Sequence, residues 1–213
     1  MVSRVLGFAR DILIAAIVGA SMVGDAFFVA FKIPNLFRRL FAEGAFSAGF
    51  VPIFSGVLER EGNDAARTFA EEAFAVLALT LGILVALFEI AMPWLMLGLA
   101  PGFASDSVKF DLAVMLTRLT FPYLLFISLV SLYAGVLNST GRFATAAATP
   151  ILLNLCLIGG LLGFRDALPT TGHALALGVA VAGVVQLVWI ATATARAGYR
   201  LRLRWPLLTL RVR

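Results

Sequence analysis

The sequence predicts an all-α protein, a polytopic membrane bundle of six transmembrane helices, and three observations lead to that prediction. Of the 213 residues, 61% are apolar and 14% are charged, whereas a soluble domain has about 45–50% and about 25%. The apolar residues form long runs, comparable to the roughly 20 residues with which a helix crosses a bilayer. Short segments rich in turn-forming residues separate the runs. A soluble fold is excluded, because a domain of this size could not bury so much apolar surface.

The six predicted spans follow one another along the chain with short connections between them. They cover residues 1–20, 25–57, 68–99, 112–137, 144–164 and 174–195. Gly, Pro, Asn, Ser or Thr residues, which favour turns, mark the connections at residues 21–24, 62–64, 100–102, 138–141 and 169–172. No connection is long enough to hold a soluble domain.

The basic residues outside the spans predict the orientation in the membrane. One side of the predicted bundle has nine of them, namely Arg60, Arg67, Arg142, Arg196, Arg200, Arg202, Arg204, Arg211 and Arg213. The other side has only Lys109 and Arg165. Because Lys and Arg concentrate in cytoplasmic loops, both chain ends are expected in the cytoplasm. The net charge of +5 then reflects topology and a tail near anionic lipid, and no nucleic-acid partner is expected.

Charged residues within the first two spans are the strongest functional signal. Eight of them fall among residues 4–43, namely Arg4, Arg10, Asp11, Asp25, Lys32, Arg38, Arg39 and Glu43. A charged side chain at mid-membrane costs about 2.5–3.5 kcal/mol on the insertion scale, so these residues need a wet cavity or charged partners. In the second span, Asp25, Lys32, Arg39 and Glu43 lie within about 40° of one another on an ideal helix, which predicts one polar stripe.

Two interpretations of these charges are open. In one, buried ion pairs fix the helix packing: Asp11 with an arginine, Asp25 with Lys32, and Glu43 with Arg39. In the other, the two helices line a cationic chamber for an anionic substrate. Five basic groups against three acidic ones leave two positive charges without an internal partner, and uncompensated charge is expensive in low dielectric. The second interpretation is therefore favoured, since a phosphate would supply the counter-charge and arginine binds phosphate bidentately.

The segments that hold these charges resemble a known family. Residues 3–11 read SRVLGFARD, residues 25–39 read DAFFVAFKIPNLFRR, and residues 41–47 read FAEGAFS, with FVP following at residues 50–52. These segments are similar to the start of the MurJ (MviN) lipid II flippases of the MOP exporter superfamily. The resemblance extends over essentially the whole chain and includes Pro122-Tyr123, Leu137-Asn138-Ser139 and Phe143.

The resemblance implies a transporter of the bacterial inner membrane that serves peptidoglycan biosynthesis. Its substrate would be lipid II, an undecaprenyl-pyrophosphate-linked precursor moved from the cytoplasmic to the outer leaflet by alternating access through a cationic cavity. Arg4 and Arg10 match the family's arginines that engage the pyrophosphate, Asp11 and Asp25 match acidic partners, and Arg38 and Arg39 match further basic residues. The predicted substrate-binding residues are thus Arg4, Arg10, Asp11, Asp25, Lys32, Arg38, Arg39 and Glu43.

The resemblance also implies an organisation in two lobes, because flippases of this family are considerably longer than this chain. Residues 1–197 are expected to form the six-helix N-terminal lobe of a MOP-type transporter. Residues 198–213 are expected to be a basic cytoplasmic linker towards the second lobe, which is missing here. The expected partners are lipid II, membrane lipid and that C-terminal lobe; no cofactor or metal is expected.

An enzyme is disfavoured, because membrane enzymes acting on polyprenyl phosphates need clustered carboxylates or a histidine beside a nucleophile. The sequence has one histidine, His173, and neither an Asp-rich cluster nor a glycine-rich phosphate loop. The remaining alternatives are a MOP-family flippase for another lipid-linked oligosaccharide of the O-antigen type and a truncated, non-transporting membrane fragment. A MATE-like exporter is less favoured, because its cationic cargo suits a positive stripe poorly.

Polar residues and glycines of the later spans are predicted to be structural. Glu89 and Arg118 are expected to form an ion pair between helices, and Asn154 an interhelical hydrogen bond. His173, at the start of the sixth span, is expected to cap a helix or lie at the interface. Close helix packing is predicted for the glycines of the last two spans, namely Gly159, Gly160, Gly163, Gly178 and Gly183.

Overall fold

The structure is a computed structural model that describes residues 2–43, 45–202 and 205; the side chains of residues 37–47 lie outside the described set. Every element in this part of the chain is helical, which confirms the predicted all-α class. In order, the elements are α1 (Val2–Ile17), α2 (Met22–Glu43), α3 (Ala45–Glu61), α4 (Asn63–Ile90), α5 (Met92–Leu99), a 3-10 helix (Pro101–Ser105), α6 (Ser107–Thr120), α7 (Tyr123–Ser139), α8 (Phe143–Phe164) and α9 (Thr171–Arg196).

Four helical segments of the described chain are long and apolar enough to cross a bilayer, so the predicted count of six is not confirmed. The four are Asn63–Ile90, Ser107–Ser139, Phe143–Phe164 and Thr171–Arg196. Helix α1 has only 16 residues, fewer than the roughly 20 that a span needs. Helix α2 has 22 residues but carries the charges of the predicted stripe.

Two of the predicted spans are each built from two helices. The span 68–99 corresponds to α4 and α5, and the span 112–137 to α6 and α7, while the span 25–57 contains the described segments α2 and α3. Pro93 lies in the first turn of α5, where its missing N–H costs no hydrogen bond. Each pair is predicted as a single span because the apolar run continues across both breaks.

The described helices group into two compact units. Unit 1 contains Met1–Leu36, Val85–Tyr123 and Pro150–Val185, and unit 2 contains Phe37–Leu84, Leu124–Thr149 and Gln186–Arg213.

Unit 1 contains a close contact between α8 and α9 that requires glycine on both helices. A Cβ atom at Gly160 would lie 2.7 Å from the carbonyl oxygen of Ala174, and one at Gly178 would lie 2.8 Å from that of Cys156. Real Cβ atoms do not approach backbone so closely, so only glycine permits this packing. The predicted packing role is confirmed for these two glycines, whereas a Cβ atom at Gly159 or Gly163 would have open space among the described residues.

Unit 2 is organised around an aromatic cluster formed by Phe50, Phe54, Phe69 and Tyr199. The ring of Phe50 stacks on those of Phe54 and Phe69, with centroids 5.6 Å apart in both pairs. Tyr199 meets Phe54 edge-on at 6.0 Å, and its hydroxyl donates to Asn63 Oδ1 at 2.6 Å. Tyr199 falls at the start of the predicted linker, yet it is 8% exposed and part of this core.

Candidate functional site

Helix α1 carries the arginine at the centre of the candidate site. The Nε and Nη2 atoms of Arg10 donate to Oδ1 of Asp11 at 3.0 and 2.7 Å. The side chain of Arg10 is 22% exposed, and that of Asp11 is 64% exposed. Asp11 thus pairs with an arginine, its neighbour Arg10 on the same helix, but the carboxylate is largely exposed and the pair does not join two helices, unlike the buried packing pair considered from the sequence.

Helix α8 supplies a second contact to the same guanidinium. The Nη1 atom of Arg10 donates to Oδ1 of Asn154 at 2.8 Å, and Nδ2 of Asn154 donates to the carbonyl oxygen of Ser3 at 3.2 Å. Asn154 is 5% exposed. The predicted interhelical hydrogen bond of Asn154 is thus confirmed, and it connects α8 to a residue of the predicted binding set.

The carboxylate of Asp25, near the start of α2, pairs with Lys109 of α6. The Nζ atom of Lys109 lies 2.6 Å from Oδ2 of Asp25 and 4.3 Å from the ring centroid of Phe103. The pairing of Asp25 with Lys32, considered in the sequence analysis, is therefore wrong. Seven residues separate Asp25 from Lys32, which places their backbones about 10 Å apart along the helix axis, whereas the ammonium of Lys109 reaches Asp25 directly.

A cavity of about 520 Å³ lies beside α1 and α2 and brings two of the predicted residues together. It is lined by Asp11, Ile14, Ala15, Gly19, Ala20, Asp25 and Phe28. Its two carboxylates are those paired with Arg10 and Lys109, and the rest of its wall is apolar or backbone. Within the described residues, no group of three or more His, Cys, Asp or Glu side chains could hold a metal ion.

The other predicted site residues lie in different surroundings. Arg4 and Lys32 are exposed, and neither makes an ion pair within the part of the chain that the structure describes. Arg38, Arg39 and Glu43 have side chains outside the described residues. Of the eight predicted residues, the structure therefore joins Arg10 to Asp11 and places Asp25 on the same cavity as Asp11.

Two site residues were not predicted as such, and the sequence held a signal for each. Lys109 and the connection between the first two spans were predicted on the same side of the membrane, which places Lys109 on the side of Asp25. Asn154 is the only amide side chain in the predicted fifth span, where a lone polar group needs a partner. What the sequence could not supply was the packing that selects these particular contacts.

The remaining polar predictions have mixed outcomes. Arg118 does contact Glu89, but its Nε atom donates to the backbone carbonyl oxygen at 3.2 Å rather than to the carboxylate. The backbone N–H of His173 donates to Thr170 Oγ1 at 3.4 Å, and its Nδ1 atom lies 2.8 Å from the same oxygen. Because α9 begins at Thr171, the capping side chain is that of Thr170, and His173 lies in the first turn with its ring against this cap.

Comparison with known proteins identifies the family. A family model described as "Lipid II flippase MurJ" matches residues 14–213. The chain belongs to the lipid II flippase MurJ family. A Rhizobium tropici protein named probable lipid II flippase MurJ is 46% identical over 211 residues, which cover 97% of this chain and 40% of the relative. A Burkholderia cenocepacia protein named lipid II flippase MurJ is 44% identical over 188 residues, which cover 88% of this chain and 36% of the relative.

A solved structure supports the same family at the level of the fold. The structure described as "Lipid II flippase MurJ, inward closed conformation" superposes with a TM-score of 0.78 at 26% identity, covering 95% of this chain and 42% of that one. The chain thus spans about 40% of the length of the R. tropici relative. Family membership and the four long apolar helices make it a multi-pass membrane protein of a transporter family.

Proposed function

We propose that this MurJ-family chain forms the N-terminal lobe of a lipid II flippase. The complete transporter would move the undecaprenyl-pyrophosphate-linked precursor from the cytoplasmic to the outer leaflet of the bacterial inner membrane. Two lobes would alternate around a shared cationic cavity, as in other transporters with a central site. In this proposal the lobe has six membrane-spanning helices and both chain ends lie in the cytoplasm.

The observation that most supports an anionic substrate is the set of cations without an anionic partner. Arg4 and Lys32 are exposed and make no ion pair within the described residues. Uncompensated positive charge is expensive once it is withdrawn from water. A pyrophosphate brings the missing negative charge, and arginine can bind it through two parallel hydrogen bonds.

The proposed roles of the site residues follow from their contacts and charges. Arg10 would bind the pyrophosphate, and Asp11 would orient the guanidinium of Arg10 by accepting hydrogen bonds from it. Asp25 would hold Lys109, while Arg4 and Lys32 would add positive charge. Arg38, Arg39 and Glu43 complete the proposed binding set. No covalent step is required, since transport needs only binding, a change of access and release.

The test uses a chimera in which this chain replaces the matching part of the R. tropici relative. It is expressed in a bacterium whose own flippase can be depleted, and the unsubstituted chimera is the reference. Arg10→Ala is expected to abolish growth on depletion. The matched control is Arg165→Ala, because Arg165 pairs with the exposed Asp166 outside the site, and growth is expected to persist.

Two outcomes would refute the proposal. One is full growth of the Arg10→Ala chimera at the same membrane level of protein. The other is release of a different lipid-linked oligosaccharide, rather than lipid II, to the outer leaflet when both substrates are offered in vesicles.

A further inference from the structure

We infer that Asn154 is a positioning residue for Arg10, holding its guanidinium so that an N–H on each terminal nitrogen stays available to a phosphate oxygen. The inference rests on the proposed function, because it names the residue that prepares Arg10 for the anionic headgroup. Asn154 lies on α8, whereas Arg10 lies on α1, so the contact joins two helices far apart in sequence.

The chemistry of the two neighbours fixes the orientation of the Asn154 amide. A guanidinium can only donate hydrogen bonds, so the group that meets Nη1 of Arg10 must be the carbonyl oxygen Oδ1. The backbone carbonyl of Ser3 can only accept, so the group that meets it must be Nδ2. The two contacts measure 2.8 and 3.2 Å. Each end of the amide therefore has one suitable partner, and both partners are on α1.

Because Asn154 is buried, both ends of its amide need partners within the protein. The residue is 5% exposed, so water cannot readily replace either contact if it is broken. A buried polar group without a partner costs considerably more than the hydrogen bond contributes when made. Arg10 itself is a long, flexible side chain, which would otherwise lose rotamer entropy on binding a ligand. Contacts from two helices remove part of that cost beforehand.

The hydrogen-bond count leaves Arg10 capacity for a ligand. Of the five guanidinium N–H groups, Nε and one on Nη2 donate to Asp11, and one on Nη1 donates to Asn154. One N–H on Nη1 and one on Nη2 have no partner within the described part of the chain. These two groups are the ones that a phosphate oxygen would use.

The neutral charge of the amide is also part of the inference. Asp11 already gives Arg10 a negative partner at 2.7 Å. A second carboxylate at position 154 would overcompensate the guanidinium and repel a phosphate. Asparagine holds the group by a hydrogen bond and adds no charge, so Asn154→Asp should weaken anion binding more than the similarly sized Asn154→Leu.

The experiment measures the affinity of the purified chimera, in lipid nanodiscs, for undecaprenyl pyrophosphate as the probe. Asn154→Leu is expected to weaken binding about tenfold, the range for loss of a hydrogen bond to a charged group. Asn154→Asp, which keeps the shape and one acceptor, should weaken it further. In an Arg10→Ala background, Asn154→Leu should not change the affinity again, because it acts through Arg10.

The matched control is Gln186→Leu, which removes another buried amide. Gln186 is 1% exposed and donates to the carbonyl oxygen of Thr149 at 2.7 Å. This control and Asn154→Leu should both lower the thermal midpoint, but only Asn154→Leu should change the affinity. Equal loss of stability with unchanged affinity in both would overturn the inference, as would additive effects of Asn154→Leu and Arg10→Ala.

The failure of the proposed function would look different. If Arg10→Ala alone left the affinity for undecaprenyl pyrophosphate unchanged, both the pyrophosphate site and the role of Asn154 would be refuted. If Arg10→Ala weakened binding while both Asn154 variants bound normally, the pyrophosphate site would be supported. Only the positioning role of Asn154 would then be refuted.

Discussion

The two units of the chain place their interacting side chains in contrasting environments. Unit 2 has buried aromatic rings, with Phe54 fully buried and Phe50 only 5% exposed. The first two helices of unit 1 have charged groups that remain partly open to solvent, with side-chain exposures of 22% for Arg10 and 58% for Asp25. Those groups are held by polar contacts rather than by burial.

The difference shows what a binding function demands of a helical unit. A cation that binds an anionic ligand cannot be fully buried in the absence of that ligand. A buried cation either needs a permanent anion that fully neutralises it, or it destabilises the unit. It must instead be oriented by hydrogen bonds that leave some donors unused. Unit 2 has no such demand on its aromatic cluster, so close packing can dominate there. We therefore expect substitutions in the cluster to reduce mainly stability, and substitutions among the held charges to reduce mainly function.

The largest effect on stability is expected from Phe54→Ala. This substitution removes a ring that packs between Phe50 and Tyr199, and a buried Phe→Ala change costs about 3–5 kcal/mol. The measurement is reversible unfolding in mixed detergent micelles. The control is Phe8→Ala, since Phe8 on α1 is 68% exposed and should change stability little. Equal losses from the two variants would contradict the role of the aromatic cluster.

A smaller effect is expected from Tyr199→Phe, which keeps the ring and removes the hydroxyl. The loss of its hydrogen bond to Asn63 should lower the free energy of unfolding by about 1 kcal/mol. Burial also raises the pKa of Tyr199 above its ordinary value of 10.0. The folded state thus disfavours the phenolate, so this contribution is complete below pH 10 and is lost as the pH rises through the raised pKa.

The pH dependence gives this second prediction its control. Unfolding is measured from pH 8 to pH 11 for both proteins. The stability difference between them should shrink above pH 10, because only the unsubstituted protein has this phenol to ionise. A difference that is constant over the whole range would show that ionisation of Tyr199 is not linked to folding.

Much of the fold could be predicted, because composition and apolar runs determine where helices form in a membrane protein. The connection at residues 62–64 falls where α3 gives way to α4, and Gly62 there has a φ of +84°, which favours glycine. The connection at residues 138–141 likewise separates α7 from α8, with Gly141 at a φ of +76°. The break between α4 and α5 was not predicted, since the residues on both sides of Ala91 are mostly apolar.

The candidate site was less accessible to sequence reasoning than the fold. Charge counting identified the first two spans, because charged residues stand out among apolar ones. The same counting treated Lys109 as a loop residue, and Asn154, which carries no charge, was predicted only to make an interhelical hydrogen bond. Their contacts with Asp25 and Arg10 span 84 and 144 positions of sequence, so helix periodicity carries no information about them. Only the packing of α6 and α8 brings these groups into the site.

The smallest effect on stability is expected from Lys109→Met, and it tests the comparison most directly. The ammonium of Lys109 lies 2.6 Å from Asp25, but that carboxylate is 58% exposed, and exposed ion pairs contribute about 1 kcal/mol or less. Transport by the chimera should nevertheless fall, because Asp25 then faces the cavity as an unpaired negative charge that repels phosphate. Lys109→Arg, which keeps the charge, should retain most of the transport. A stability loss as large as that of Phe54→Ala, with transport per folded molecule unchanged, would show that polar pairs of unit 1 serve packing in the same way as the aromatic cluster of unit 2.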